Sequence, residues 1–101
     1  MSMYETMDEL MASVQRRLYR MRGLAEDMAA VRARETAQDG SITAEVDGDG
    51  ALLNLEFSQA ISRLSPAEFE TTLVATAAAA ARRAFELRGE IVTAFNEEVA
   101  E

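Results

Sequence analysis

Apolar residues recur at alternating steps of three and four between residues 7 and 31. This spacing is typical of a helix with one apolar stripe, and we predict that helix over about residues 4–31. A stripe of this length exceeds what a chain of 101 residues can cover with its own core. We therefore expect part of it to contact a second copy of the chain; the alternative is that all of it packs on the chain's own sheet. The predicted interface residues are Leu10, Val14, Met21, Leu24 and Met28.

The spacing then changes to alternation, which predicts three strands within about residues 32–57. Residues 32–37 are the weakest candidate, and residues 41–47 alternate as expected of a strand with one solvent-facing side. Gly and Asp residues at 47–50 supply the turn of a hairpin, and residues 51–57 alternate again. The predicted apolar faces of this hairpin consist of Ile42, Ala44 and Val46, and of Leu53, Leu55 and Phe57.

The start of a second helix is marked by the sequence LSPAEF at residues 64–69. Ser65 is suited to cap the helix, Pro66 to its first position, and Glu68 to the reciprocal hydrogen bond of a capping box. Leu64 is placed to pack on Phe69. We predict this helix over about residues 66–97, with a broad apolar arc and an alanine run at 77–81 that permits close approach.

The order of these elements predicts a single α+β domain over residues 1–101. Its protomer is α-β-β-β-α in two layers, with a three-stranded antiparallel sheet and both long helices on one face of that sheet.

Composition argues against an enzyme. The chain has no Cys, His, Trp or Lys, which removes thiolate nucleophiles, histidine bases and the usual zinc ligands. The acidic turn at residues 47–50 lacks the further oxygen ligands of a calcium loop, since Ala51 and Leu53 stand at those positions. We therefore predict no catalytic residues, no metal and no cofactor.

The segment 1–10 carries three acidic residues where a secretory signal needs positive charge, and no run approaches the roughly 20 apolar residues that span a bilayer. We expect a soluble cytoplasmic protein with no membrane partner. The net charge of −8 disfavours binding of nucleic acid over the whole surface, so such binding needs a local basic patch.

One basic patch is present in the first helix. Arg16, Arg17, Arg20 and Arg22 surround Tyr19, and no acidic residue interrupts them between Glu9 and Glu26. A forked guanidinium suits phosphate, so two copies together offer an anion-binding surface. The alternative is that these arginines lie along the dimer seam and pair with acidic residues of the partner. The residues leave both interpretations open.

The whole layout resembles the YbaB/EbfC family of small bacterial nucleoid-associated proteins. The resemblance covers nearly the entire chain and rests on GSITAEVDGDG at residues 40–50, LNLEF at 53–57, LSPAE at 64–68 and the alanine-rich helix that follows. It implies a homodimer that binds double-stranded DNA with little sequence preference in the nucleoid, and it implies no catalytic set.

The family resemblance also carries an alternative function. Some actinobacterial relatives are associated with type VII secretion loci. A non-enzymatic protein-interaction module, such as an accessory to a type VII secretion or recombination assembly, is therefore the second hypothesis.

Overall fold

The computed structural model describes residues 6–99. Helix α1 spans Met7–Ala29, strands β1, β2 and β3 span Arg32–Thr36, Ile42–Asp47 and Leu52–Phe57, and helix α2 spans Pro66–Val99. A short 3-10 helix at Gln59–Arg63 joins β3 to α2 and is absent from the sequence prediction. The α-β-β-β-α fold predicted from the sequence is confirmed. The predicted start of the first helix, at residues 4 and 5, lies outside the described residues.

Both long helices begin at capping residues that their sequences supply. The Thr6 hydroxyl accepts a hydrogen bond from the Glu9 backbone N–H at 3.1 Å. At α2, the Glu68 N–H donates to Ser65 Oγ at 3.1 Å, and the Ser65 N–H donates to Glu68 Oε1 at 2.9 Å. These bonds satisfy helix N–H groups that have no partner within the helix, as predicted for α2.

The sheet is antiparallel with strand order β1-β2-β3, so β2 is central and β3 is an edge. One expectation for β3 is wrong. Simple alternation assigned Leu52 to the polar face, but the register shifts between Glu45 and Val46 and places Leu52 opposite Val46, with Leu53 as the extra residue. Such a bulge inserts one residue and locally resets the alternation.

The core is small and lies between α2 and the first two strands. Ala80 and Ala84 of α2 are fully buried, as are Ala44 and Val46 of β2. Small side chains on both elements allow the helix to approach the sheet closely. Strand β3 contributes much less to this core, because α2 packs mainly on β1 and β2.

Helix α1 packs mainly on the C-terminal half of α2 rather than on the sheet. The molecule is therefore elongated, with extents of 71 × 18 × 15 Å. Among the described helices, neither is sufficiently long and apolar to cross a membrane.

Candidate nucleic-acid interface

A groove of about 500 Å³ separates α1 from the C-terminal end of α2. Arg16 and Arg20 lie one turn apart on α1 and both line this groove, because residues four apart share a helix face. Tyr19 lies between them and is 78 % exposed. The wall opposite is formed by α2 and consists of Ile91, Ala94, Phe95 and Glu98.

Two further arginines of the predicted cluster point in other directions. At about 100° per residue, Arg17 and Arg22 lie on flanks of α1 away from the groove. Both are exposed. The structure therefore brings two of the four predicted arginines together in one concave surface and spreads the other two around the same helix.

Acidic residues also lie in the groove. Asp27 of α1 and Glu98 of α2 are both part of its lining. They limit the positive potential of the groove itself, because an opposite charge in the same concavity offsets that of the arginines. The basic surface is consequently local to the exposed middle of α1, as the chain's net charge requires.

Several arginines outside α1 are already engaged with acidic groups. Arg34 forms an ion pair with Glu56 across the polar face of the sheet. Arg83 donates a hydrogen bond of 3.1 Å to Glu86 and lies 3.6 Å from Glu90. The hydrogen bond to Glu86, aided by the charge of Glu90, raises the pKa of Arg83. Arg34 and Arg83 are therefore poorer candidates for phosphate contacts than Arg16 and Arg20 in the groove.

The predicted dimer residues fall into two groups. Leu10, Val14 and Met21 are exposed, whereas Leu24 and Met28 are partly buried in the protomer. Leu24 lines the groove beside α2, and Met28 lies near Arg88 of the same helix. Only the C-terminal end of the stripe packs beside the chain's own sheet, because Val31 is buried in the core with Ala33 and Ala44. The N-terminal half of the stripe is exposed, and other apolar residues of α1 there are exposed too, namely Met7, Met11 and Leu18.

The acidic turn between β2 and β3 forms a hairpin turn, as its chemistry predicts. The Asp47 carboxylate accepts hydrogen bonds of 2.9 Å from the N–H groups of Asp49 and Ala51. Gly50 adopts a φ of 82°, the left-handed region that favours glycine. Within residues 6–99 there is no group of three or more acidic, His or Cys side chains arranged to hold a metal ion.

The α2 wall of the groove was missed by sequence reasoning. Phe95 and Glu98 are separated from Arg16 by about four fifths of the chain, and no motif connects them. The only sequence feature that points to this wall is the length of α2, because a helix of that length places its last turns alongside α1.

Comparison with known proteins gives a family match and a match in fold. A family model described as the YbaB/EbfC DNA-binding family matches residues 3–99. The structure is similar to the crystal structure of the uncharacterized protein HP0035 from Helicobacter pylori, with a TM-score of 0.62 and 15% sequence identity. That match covers 93% of this chain and 98% of the other. None of the curated proteins matches the sequence.

Proposed function

The chain belongs to the YbaB/EbfC DNA-binding family, and on that premise we propose that it is a homodimeric nucleoid-associated protein of the cytoplasm that binds duplex DNA with little sequence preference. The proposed DNA contacts are Arg16, Arg17, Arg20 and Arg22. The observation that carries this proposal is the exposed arginine cluster on α1, centred on Arg16 and Arg20 in one groove.

The chemistry of the cluster favours phosphate over base edges. Guanidinium groups bind phosphate oxygens in a forked geometry. When they neutralise phosphates, counterions leave the DNA, and this release supplies affinity that does not depend on base sequence. Contacts to the DNA backbone carry no direct sequence information. A binding site built from arginines around one helix therefore accounts for little sequence preference. The function is binding rather than catalysis.

The extended shape supports a homodimer. The chain exposes 7457 Å² of surface, whereas a compact monomer of its mass exposes about 5,700 Å². The radius of gyration is 21.0 Å, against about 13 Å for a compact domain of this length. The difference in surface, about 1,800 Å², exceeds the roughly 800 Å² that each partner contributes to a standard interface.

We place the α1 stripe in this homodimer, with the predicted residues Leu10, Val14, Met21, Leu24 and Met28 in or beside the interface. Pairing also brings two arginine clusters into one particle. Each cluster then adds to a common positive surface, which offsets the acidic remainder of the molecule locally.

The test is fluorescence anisotropy of labelled duplexes titrated with purified protein at low salt and again near physiological salt. Two duplexes of unrelated sequence are compared. We expect similar affinities for both duplexes and a steep loss of affinity as salt rises. Absence of binding at low salt would contradict the DNA-binding proposal, and a strong preference for one duplex would contradict low specificity.

A protein-interaction module, such as an accessory to a type VII secretion or recombination assembly, is the second candidate. It is favoured by the large apolar side chains exposed on an acidic molecule, since such patches mark sites of protein association. Affinity capture of the protein with its partners from the native host distinguishes this candidate from the DNA-binding proposal. Recovery of only the chain itself and nucleic acid contradicts the second candidate.

A further inference from the structure

Tyr19 is an aromatic side chain that the protomer leaves largely in solvent. It is 78% exposed, more than any other large apolar or aromatic side chain within residues 6–99. The ring contact that the structure shows joins Phe57 to Phe69, so Tyr19 stacks on no ring of the described chain. The exposed ring therefore offers a flat apolar face on which another planar group can stack.

Tyr19 also lines the groove between α1 and α2, whose volume of about 500 Å³ is in the range of pockets that bind small ligands. The less exposed side chains of the groove are apolar, namely Leu24, Ile91 and Phe95. Gly23 is part of the same lining, and a Cβ at that position would meet nothing within 4 Å. The groove therefore has open space for a planar group beside an exposed ring.

Two arginines flank this ring and are available to a ligand. Within residues 6–99, neither Arg16 nor Arg20 forms an ion pair, and both line the groove. They lie about 6 Å apart along the axis of α1. Charges along one strand of DNA recur about every 3.4 Å. Arg16 and Arg20 are therefore placed to bind phosphates about two nucleotides apart on one strand, with Tyr19 between them.

The acidic lining of the groove decides which part of a nucleotide fits inside it. Asp27 and Glu98 repel phosphate, but their carboxylates can accept hydrogen bonds from the amino groups of bases. Arg16 and Arg20 are exposed, so they can bind phosphate from the solvent side. The interior of the groove therefore suits a base, and its arginine-bearing surface suits the backbone of the same strand.

A homodimer through the α1 stripe leaves this groove open. On a helical wheel, Tyr19 lies about 140° from Val14 and about 160° from Met21. The face of α1 that lines the groove and the exposed part of the apolar stripe are therefore on nearly opposite sides of the helix. A ligand in the groove does not compete with a partner that binds the stripe.

We propose that the groove receives an unpaired base of DNA, with the Tyr19 ring stacked on the base and with Arg16 and Arg20 bound to phosphates of the same strand. The proposal rests on the DNA binding proposed above and names the form of DNA that binds best. A duplex with a single-stranded gap is bound more tightly than an intact duplex, whose bases are already stacked on one another. Every base has a face for stacking, so this contact adds little sequence preference.

The first test measures the affinity of the wild-type protein for three labelled duplexes by anisotropy at one salt concentration. One duplex is intact, one has a single-stranded gap, and one has the same gap built from abasic nucleotides. Stacking of one base on a protein ring raises affinity about 5-fold or more. We expect this gain for the gapped duplex over the other two. The abasic gap keeps the phosphates and the flexibility, so equal affinity for both gapped duplexes overturns the proposed stacking.

Variants assign the preference to Tyr19 and the groove. Tyr19→Ala removes the ring and is expected to abolish the preference for the gap, whereas Tyr19→Phe keeps the ring and the preference. Gly23→Leu fills the groove and is expected to reduce the preference. Gln15→Ala is the matched control, because Gln15 is exposed one turn before Tyr19 but lies outside the groove. Circular dichroism checks each fold, and a full preference in both Tyr19→Ala and Gly23→Leu overturns the assignment.

The second test observes Tyr19 by its fluorescence. The chain has two tyrosines and no Trp, so Tyr19 is the single tyrosine of a Tyr4→Phe variant. Stacking on a base quenches tyrosine emission. We expect the gapped duplex to quench this emission and the duplex with the abasic gap to leave it nearly unchanged. Unchanged emission at a saturating concentration of the gapped duplex overturns the proposed stacking.

The same titrations separate this inference from the proposed function. Equal affinity of the wild type for the intact and the gapped duplex overturns this inference and leaves duplex binding standing. Binding of the gapped duplex without binding of the intact or abasic one supports this inference and contradicts the proposed binding of intact duplex. Absence of binding to all three duplexes at low salt overturns both.

Discussion

The guanidinium of Arg88 donates a 3.0 Å hydrogen bond to the carbonyl oxygen of Gly48, which joins α2 to the turn between β2 and β3. The same turn is in close contact with the end of α1. A Cβ on Gly48 would lie 3.0 Å from the Met28 carbonyl oxygen and 3.3 Å from Val31 Cβ. Three segments that are distant in sequence therefore meet at one buried glycine.

Gly48→Ala is expected to destabilise the protein, because the added methyl group meets backbone that cannot move without shifting α1. Overpacking of this kind costs about 1–3 kcal/mol in the free energy of unfolding, measured by urea denaturation. Gly23→Ala is the matched control, since nothing lies within 4 Å of its Cβ and alanine favours the helix by about 0.5–1 kcal/mol. Equal stability of the two variants would contradict this packing.

Glu68→Gln is expected to reduce stability at neutral pH and to have less effect in acid. Hydrogen bonds from the Ser65 backbone and side chain lower the pKa of Glu68 below its usual 4.5. A lowered pKa in the folded state contributes stability above about pH 4.5 that is lost as pH falls through the folded value. Thermal unfolding of both proteins between pH 3 and pH 7 measures this difference, and a gap that widens in acid would contradict it.

Replacing Arg16 and Arg20 with alanine is expected to weaken DNA binding and to flatten its salt dependence. Each phosphate contact removed lowers the slope of log affinity against log salt by about 0.9. Adding Arg17→Ala and Arg22→Ala is expected to weaken DNA binding and flatten its salt dependence further. The control is the Arg82→Ala, Arg83→Ala double variant, which removes the same charge from α2, where Arg83 pairs with Glu86. An identical slope in both double variants would exclude the α1 cluster as the site.

Val14→Asp is expected to dissociate the homodimer, because the α1 stripe would bury an unpaired charge. Sedimentation equilibrium measures the change in dissociation constant. Leu24→Asp is also expected to dissociate the homodimer. It disturbs the contact with α2 as well, since Leu24 lines the groove between the helices. Gln15→Asp controls for added charge on an exposed α1 position outside the stripe. An unchanged dimer in both Val14→Asp and Leu24→Asp would place the interface elsewhere.

The sequence by itself determined the two long helices, the three strands and their order, but not the short 3-10 helix at Gln59–Arg63. The start of α2 was readable because Ser65 and Glu68 satisfy each other locally, and the hairpin was readable because Gly50 permits a backbone that other residues resist. These signals depend on residues a few positions apart. Hydrogen bonds and backbone steric preferences between residues that close in sequence can be predicted from the sequence alone.

Only the tertiary structure decided how the elements are placed. Alternation cannot reveal the bulge that sets Leu52 opposite Val46, because the shift depends on pairing with β2. Nor does periodicity show that α1 packs on α2, that Phe95 faces the arginines, or that α2 leaves β3 uncovered. Each of these depends on contacts between residues far apart in the chain, where packing volume and strand register, rather than local preference, select the arrangement.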